Sequence, residues 1–288
     1  DFTSDFDVDR VASMPIGNYR YGLKTLKGCK AENQDDCVFI ENFADDEECI
    51  FMGVFDGHGQ NGKLVSRFVR TNLPGNIVRN PAFGQGDVYK ALSEAFVQTN
   101  EELKRSPTDV AFSGSTGTTA FIKGKDIIAA NVGDSRTVLG RMEGGKLKAV
   151  DLSIDHKPDR DCELARVLKA GGRVEPMMYE GEYIGPHRVW LKDQDLPGLA
   201  TSRAFGDTIA SNVGVVAEPE LTQYTFDEAD QFIICASDGV WEFLTSQQVV
   251  DLVAKHIDDP VSAAKVVAEK SYTCWQEEDE DGAIDDSE

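Results

Sequence analysis

The feature that most constrains this chain is a pair of short apolar runs that each break off at an Asp-Gly pair. Ile50-Phe51-Met52-Gly53-Val54-Phe55 stops at Asp56-Gly57, and the run over residues 232–236 stops just before Asp238-Gly239. Apolar runs of this length with sharp ends read as buried strands. A buried strand holds its terminal residue in place, and a following glycine lets the backbone turn and its carbonyl approach a cation. Asn131-Val132-Gly133-Asp134-Ser135-Arg136 has a similar form. A single Asp-Gly pair is an ordinary turn signal. Several aspartates gathered at strand ends would instead repel one another unless a cation lay between them. Mg2+ and Mn2+ favour such oxygen donors. Spacing alone leaves both readings open.

The surrounding pattern predicts a fold class. Residues 118–122 and 127–132 read as strands joined by a tight turn at Gly124-Lys125-Asp126, and Thr137-Val138-Leu139-Gly140 begins a hairpin around Gly144-Gly145. Helices are expected over residues 61–72, 87–104, 159–170, 246–256 and 260–272, and the acidic run 277–281 as a solvated loop. Hairpins bracketed by helices, without alternation of strand and helix, argue for an α+β fold of antiparallel sheets with helices outside. No repeat or long linker divides the chain, so one domain is expected over residues 18–288, after a peripheral lead-in over 1–17.

Charge and cysteine usage narrow the function. The formal net charge is −22, which disfavours nucleic-acid binding, because phosphate contacts need Lys and Arg. No apolar run reaches the length of a membrane span. The six cysteines contain no Cys-x-x-Cys pair and predict a reduced, intracellular protein, cytoplasmic or nuclear. An Asp-x-Asp-x-Asp-Gly calcium loop is absent. No cysteine lies in a Gly/Arg-rich phosphate loop, which argues against a thiolate nucleophile. His156, His187 and His256 have no catalytic context and read as structural.

The strings themselves carry more than their spacing. Asn33-Gln34-Asp35, Val54-Phe55-Asp56-Gly57-His58-Gly59, Ser115-Thr116-Gly117-Thr118-Thr119-Ala120, Asn131-Val132-Gly133-Asp134-Ser135-Arg136, Asp155-His156-Lys157-Pro158, Ala170-Gly171-Gly172-Arg173-Val174, Ser202-Arg203-Ala204-Phe205-Gly206-Asp207, Ala217-Glu218-Pro219-Glu220 and Ala236-Ser237-Asp238-Gly239-Val240-Trp241 follow one another in this order. In that order the chain resembles the type 2C family of metal-dependent serine/threonine protein phosphatases over nearly its whole length. The resemblance implies a central sandwich of two antiparallel β-sheets flanked by α-helices on both outer faces, a four-layer α/β/β/α arrangement.

The same resemblance implies the chemistry. Phosphoserine and phosphothreonine in protein substrates would be hydrolysed by direct attack of a hydroxide bridging two Mg2+ or Mn2+ ions, in a monomeric enzyme. Asp56 would bridge both ions and the Gly57 carbonyl would bind one of them. Asp35, Asp238 and Asp285, with Asp286 as the fallback for the last, would complete the set, and Asp134 would help form a third, weaker site. His58 falls where the family places its general acid, and Lys30 where it places a contact to the substrate phosphate. Glu242 stands where many members have Asp, and its extra methylene would weaken or reposition the third site.

Overall fold

A computed structural model describes residues 19–28 and 31–280 of the chain. The lead-in over residues 1–17, Cys29, Lys30, Asp285 and Asp286 lie outside the described residues.

In chain order the first part comprises β1 (Asp36–Glu41), β2 (Cys49–Phe55), β3 (Gly57–His58), α1 (Gly62–Arg79), α2 (Pro81–Gly84) and α3 (Val88–Lys104). The middle comprises β4 (Gly114–Ser115), β5 (Gly117–Lys123), β6 (Asp126–Val132), β7 (Arg136–Glu143), β8 (Lys146–Asp151), α4 (Asp161–Lys169), β9 (Arg173–Tyr179) and β10 (Glu182–Trp190). The remainder is β11 (Pro197–Leu199), β12 (Phe205–Gly206), α5 (Thr208–Ser211), β13 (Glu220–Thr225), β14 (Asp230–Ala236), α6 (Asp238–Trp241), α7 (Ser246–Ala254) and α8 (Pro260–Glu280).

The fold is mixed α+β with several antiparallel sheets, as expected. The largest sheet has the order β1-β2-β5-β6-β13, and β14-β7-β8 form a second. The β9-β10-β11 and β12-β4-β3 groups are smaller. The β7–β8 hairpin closes through Gly144 and Gly145, both at positive φ (57° and 77°), which matches the twist of the flanking strands.

Strand alternation sends side chains to two faces of the large sheet. Phe51, Phe55, Phe121 and Ile128 join Val65, Val69, Leu73 and Ile77 of α1 and Leu92, Phe96 and Leu103 of α3 in one apolar cluster. Ile50, Ala120, Ile122, Ile127 and Ala129 join Leu139 of β7 and Ile233 of β14 in another. Val138, Phe232 and Ile234 then meet Trp241, Val249, Val250 and Val267 of the C-terminal helices, and Leu244 between α6 and α7, in a third.

Two helices run longer than the sequence pattern predicts. The first continues through Pro74 to Arg79. Proline inside a helix costs about 3 kcal/mol or more, but here Leu73, Pro74 and Ile77 are all buried, and burial of that face offsets the loss. The last runs to Glu280, so residues 277–280 of the acidic run are helical rather than a loop. Its extension is anchored by Trp275, whose indole N–H donates to the Gly239 carbonyl at 2.9 Å and whose ring meets Phe243 edge-on at 4.8 Å.

A buried carboxylate ties the segment carrying Ser202 to Asp207 onto α4. Glu163 has a side-chain exposure of 0%. It accepts from Arg166 Nη2 at 2.6 Å, Arg203 Nη2 at 2.6 Å and Ser202 Oγ at 2.7 Å. Burial alone would lift the Glu163 carboxyl, but Arg203, Arg166 and Ser202 more than reverse this and hold it well below the usual carboxylate range. A depressed folded-state value contributes stability that is complete above the unfolded value and is lost as pH falls through the folded one. Glu163→Ala is therefore expected to cost about 3 kcal/mol in chemical denaturation near pH 7. That cost should shrink as pH is lowered below about 4.3, and a cost independent of pH would contradict the assignment.

Candidate metal centre and proton-transfer dyad

Two antiparallel registers bring the acidic residues together. Val54 of β2 pairs with Thr118 of β5, so Asp56, two residues on, meets Thr116, two residues back. The Asp56 amide donates to Thr116 Oγ1 at 3.1 Å and the Thr116 amide donates to the Asp56 carbonyl at 2.9 Å. Ala236 of β14 pairs with Arg136 of β7, which brings Asp238 beside Asp134 in the same way. Thr116 Oγ1 also lies 2.7 Å from Ser135 Oγ, so one hydroxyl joins the two ends.

The Asp-Gly pairs are not turns. Gly57 continues straight into β3, and Asp238 opens the single helical turn α6. Neither Gly57 nor Gly239 is among the positive-φ glycines. Gly57 is required for a different reason: a Cβ there would run into the Gly62 backbone at the start of α1 and the Gln34 carbonyl. Gly133 does need its freedom, with φ at 98° and Thr116 packed against it.

Asp35 and Asp36 separate cleanly by strand alternation. Asp36 points to α1, where the buried Arg70 guanidinium lies 3.3 Å away. Asp35 points the other way and accepts from Ser237 Oγ at 2.9 Å, next to Asp238. Asp56 lies against Asp35 and Asp238, and burial together with those two carboxylates raises its carboxyl well above the usual range. Asp238 is raised too, by burial and by Asp134. In the absence of positive charge the three groups can approach this closely only by keeping a proton between them.

The structure thus brings together Asp35, Asp56, Gly57, Asp238 and Asp134, with His58 next along β3. No group of three or more His, Cys, Asp or Glu among the described residues has the arrangement of a ready-made cation cage. The donor chemistry nevertheless fits hard divalent cations: carboxylates from three separate segments, forced into mutual contact, for which a cation would replace the shared protons. Asp134 differs from the rest. Its Oδ2 meets Lys157 Nζ at 2.6 Å, and although burial opposes the charge on Lys157, Asp134, Asp238 and Glu242 outweigh it and raise its pKa.

Asp207 is a site residue that the motif reading did not assign a role. His58 Nε2 lies 2.7 Å from Asp207 Oδ2, with side-chain exposures of 23% and 3%. The carboxylate is thus enclosed while the imidazole keeps an open side. Asp207 sits at φ 43°, fixed by its amide donating to Ser113 O at 3.0 Å. A Cβ on Gly114 would collide with both Asp207 and His58. An Asp at positive φ after a glycine is a weak signal of such strain, and nothing in the chain order connects it to a histidine 149 residues earlier.

Comparison with known proteins identifies the family. The family model for protein phosphatase 2C matches residues 19–279. The chain is similar to Probable protein phosphatase 2C 72 of Arabidopsis thaliana, at 40% identity over 99% of this chain and 87% of that one. It is also similar to Probable protein phosphatase 2C 64 of Oryza sativa subsp. japonica, at 38% identity over 91% of this chain and 62% of that one. Among solved structures it resembles a serine-threonine phosphatase 2C from Toxoplasma gondii, with a TM-score of 0.80 at 20% identity, covering 94% of this chain and 96% of that chain. No helix among the described residues is long and apolar enough to cross a membrane.

If the carboxyl cluster is a cation centre, Mn2+ at a hundredfold excess over its dissociation constant should stabilise the protein by about 2.7 kcal/mol. The melting temperature should rise accordingly by several degrees in calorimetry. Asp56→Asn should remove the rise, and an equal rise in the variant would show that the ion binds elsewhere.

Proposed function

The chain belongs to the protein phosphatase 2C family, and on that premise we propose that it hydrolyses phosphoserine and phosphothreonine in proteins directly, without a phosphoenzyme. The observation that carries this reading is the convergence of Asp35, Asp56 and Asp238 from three separate segments, with Asp56 crowded by both others. Two Mg2+ or Mn2+ ions held there, as the hydroxide mechanism requires, would offset the charge on the phosphoryl oxygens and acidify the attacking water. Asp35, Asp56 and Asp238, with the Gly57 carbonyl, would hold the ions, Asp56 serving both. Asp285 remains the proposed last ligand and Lys30 the proposed contact to the substrate phosphate, by resemblance alone.

The residues around this cluster serve the departing alcohol. A seryl or threonyl oxygen leaves poorly as an alkoxide and needs a proton. His58, one residue past Gly57 and partly exposed, would give it. Asp207 holds the imidazole by one nitrogen, fixes its orientation and stabilises its protonated form, as a buried carboxylate does for a catalytic histidine. The three apolar clusters read in turn as the seams of a four-layer α/β/β/α stack, in which the strand ends carrying Asp56 and Asp238 open on one edge. All five described cysteines are free, which suits the reducing intracellular setting expected from their scatter. A monomer acting on soluble phosphoproteins completes the reading.

A phosphothreonine peptide should be hydrolysed with Mn2+ present and not after complete chelation, and much faster than a nucleotide. Activity that survives chelation would contradict the cation-assisted mechanism. A faster rate on the nucleotide would point to a small-molecule phosphoesterase, and turnover by Asp56→Asn equal to wild type would remove Asp56 from the reaction. Asp207→Asn should lower turnover of the peptide by about 10²-fold. It should lower hydrolysis of p-nitrophenyl phosphate far less, because that leaving group departs without a proton. Equal losses on both substrates would contradict the role given to the dyad.

A further inference from the structure

The ammonium of Lys157 reaches into this acidic cluster and meets Asp134 directly. It belongs to the segment Asp155-His156-Lys157-Pro158 between β8 and α4, and that segment is fixed on both sides. The neighbouring His156 is fully buried, and its Nδ1 accepts from the Gly133 amide at 3.1 Å. The His156 carbonyl accepts from Ser202 Oγ at 2.9 Å. Residues adjacent in sequence to Lys157 and to Asp134 are therefore joined, and the ammonium is delivered to the carboxylate by the backbone. The contact is short, at 2.6 Å, with Asp134 only 8% exposed and Lys157 35%. Elsewhere in the cluster Asp56 is crowded by the carboxylates of Asp35 and Asp238, whereas Asp134 is in direct contact with an ammonium.

We propose that the Lys157 ammonium is a tethered counter-cation that occupies the Asp134 side of the carboxylate cluster and keeps a further divalent ion from binding there. A dication at Asp134 would have to displace an ammonium held by the fold and then remain beside its charge. Glu242, exposed at the end of α6 and acting on the same ammonium, adds to the field that keeps Lys157 in place. The number of ions is thereby set by Asp35, Asp56 and Asp238. The proposal rests on the reading of this cluster as a cation centre.

Its test counts bound Mn2+ by the electron paramagnetic resonance signal of the unbound ion, during titration of the full chain. Lys157→Met should take up about one more equivalent than wild type, and Lys157→Met combined with Asp134→Asn should return to the wild-type count. Asp134→Asn alone should leave that count unchanged. Equal numbers and affinities in wild type and Lys157→Met would overturn the proposal, and so would the loss of an ion in Asp134→Asn alone. The latter comparison decides the matter even if Lys157→Met does not fold. Wild-type protein that binds no Mn2+ would overturn the cation centre itself, and the role of Lys157 with it.

Discussion

Repulsion between carboxylates is the constraint on which the rest of this structure depends. Asp35, Asp56 and Asp238 come from the lead into β1, the end of β2 and the start of α6, and the fold forces them into contact. Left ionised and unaccompanied, they would push these segments apart. Two solutions exist: a proton retained between them, or a cation placed among them. The first is what the raised Asp56 carboxyl favours, and the second is what membership of this family implies. A site that is costly without its ion is also one that binds the ion strongly, because binding relieves the strain.

The scaffold withstands this repulsion through devices some distance from the acids. Thr116 clamps the Asp56 backbone by both its amide and its hydroxyl and reaches Ser135 as well. Trp275 reaches from α8 to hold the Gly239 carbonyl, and so steadies the turn that opens with Asp238. Gly57 and Gly62 let α1 approach β3 more closely than any side chain would permit. Glu163 anchors the segment that leads to Asp207. Each device acts on the segments that carry the acids rather than on the acidic oxygens.

Much of this was legible in the amino-acid order. Apolar runs with sharp ends mark β2, β5, β6 and β14 to within a residue or two, because a buried strand shows its burial directly in composition. The passage of α1 through Pro74 and the extension of α8 past Tyr272 were not legible. Both depend on tertiary burial that local preference cannot report. Asp56-Gly57 and Asp238-Gly239 carry a turn signal, yet the chain does not turn at either, since neighbouring backbone rather than φ determines why Gly57 must be glycine. The meeting of the acids was expected only through family resemblance. The partnership of His58 with Asp207 and of Lys157 with Asp134 spans sequence distances that no periodicity encodes.

The central claim is that three carboxylates from separate segments gather around divalent cations rather than around protons. Anomalous diffraction from crystals grown with Mn2+ measures this directly. The account predicts two Mn2+ peaks, each about 2.0–2.3 Å from carboxylate oxygens, with Asp56 common to both and Asp35 and Asp238 among the ligands. Peaks confined to other acidic surfaces, with no ion beside Asp56, would contradict it.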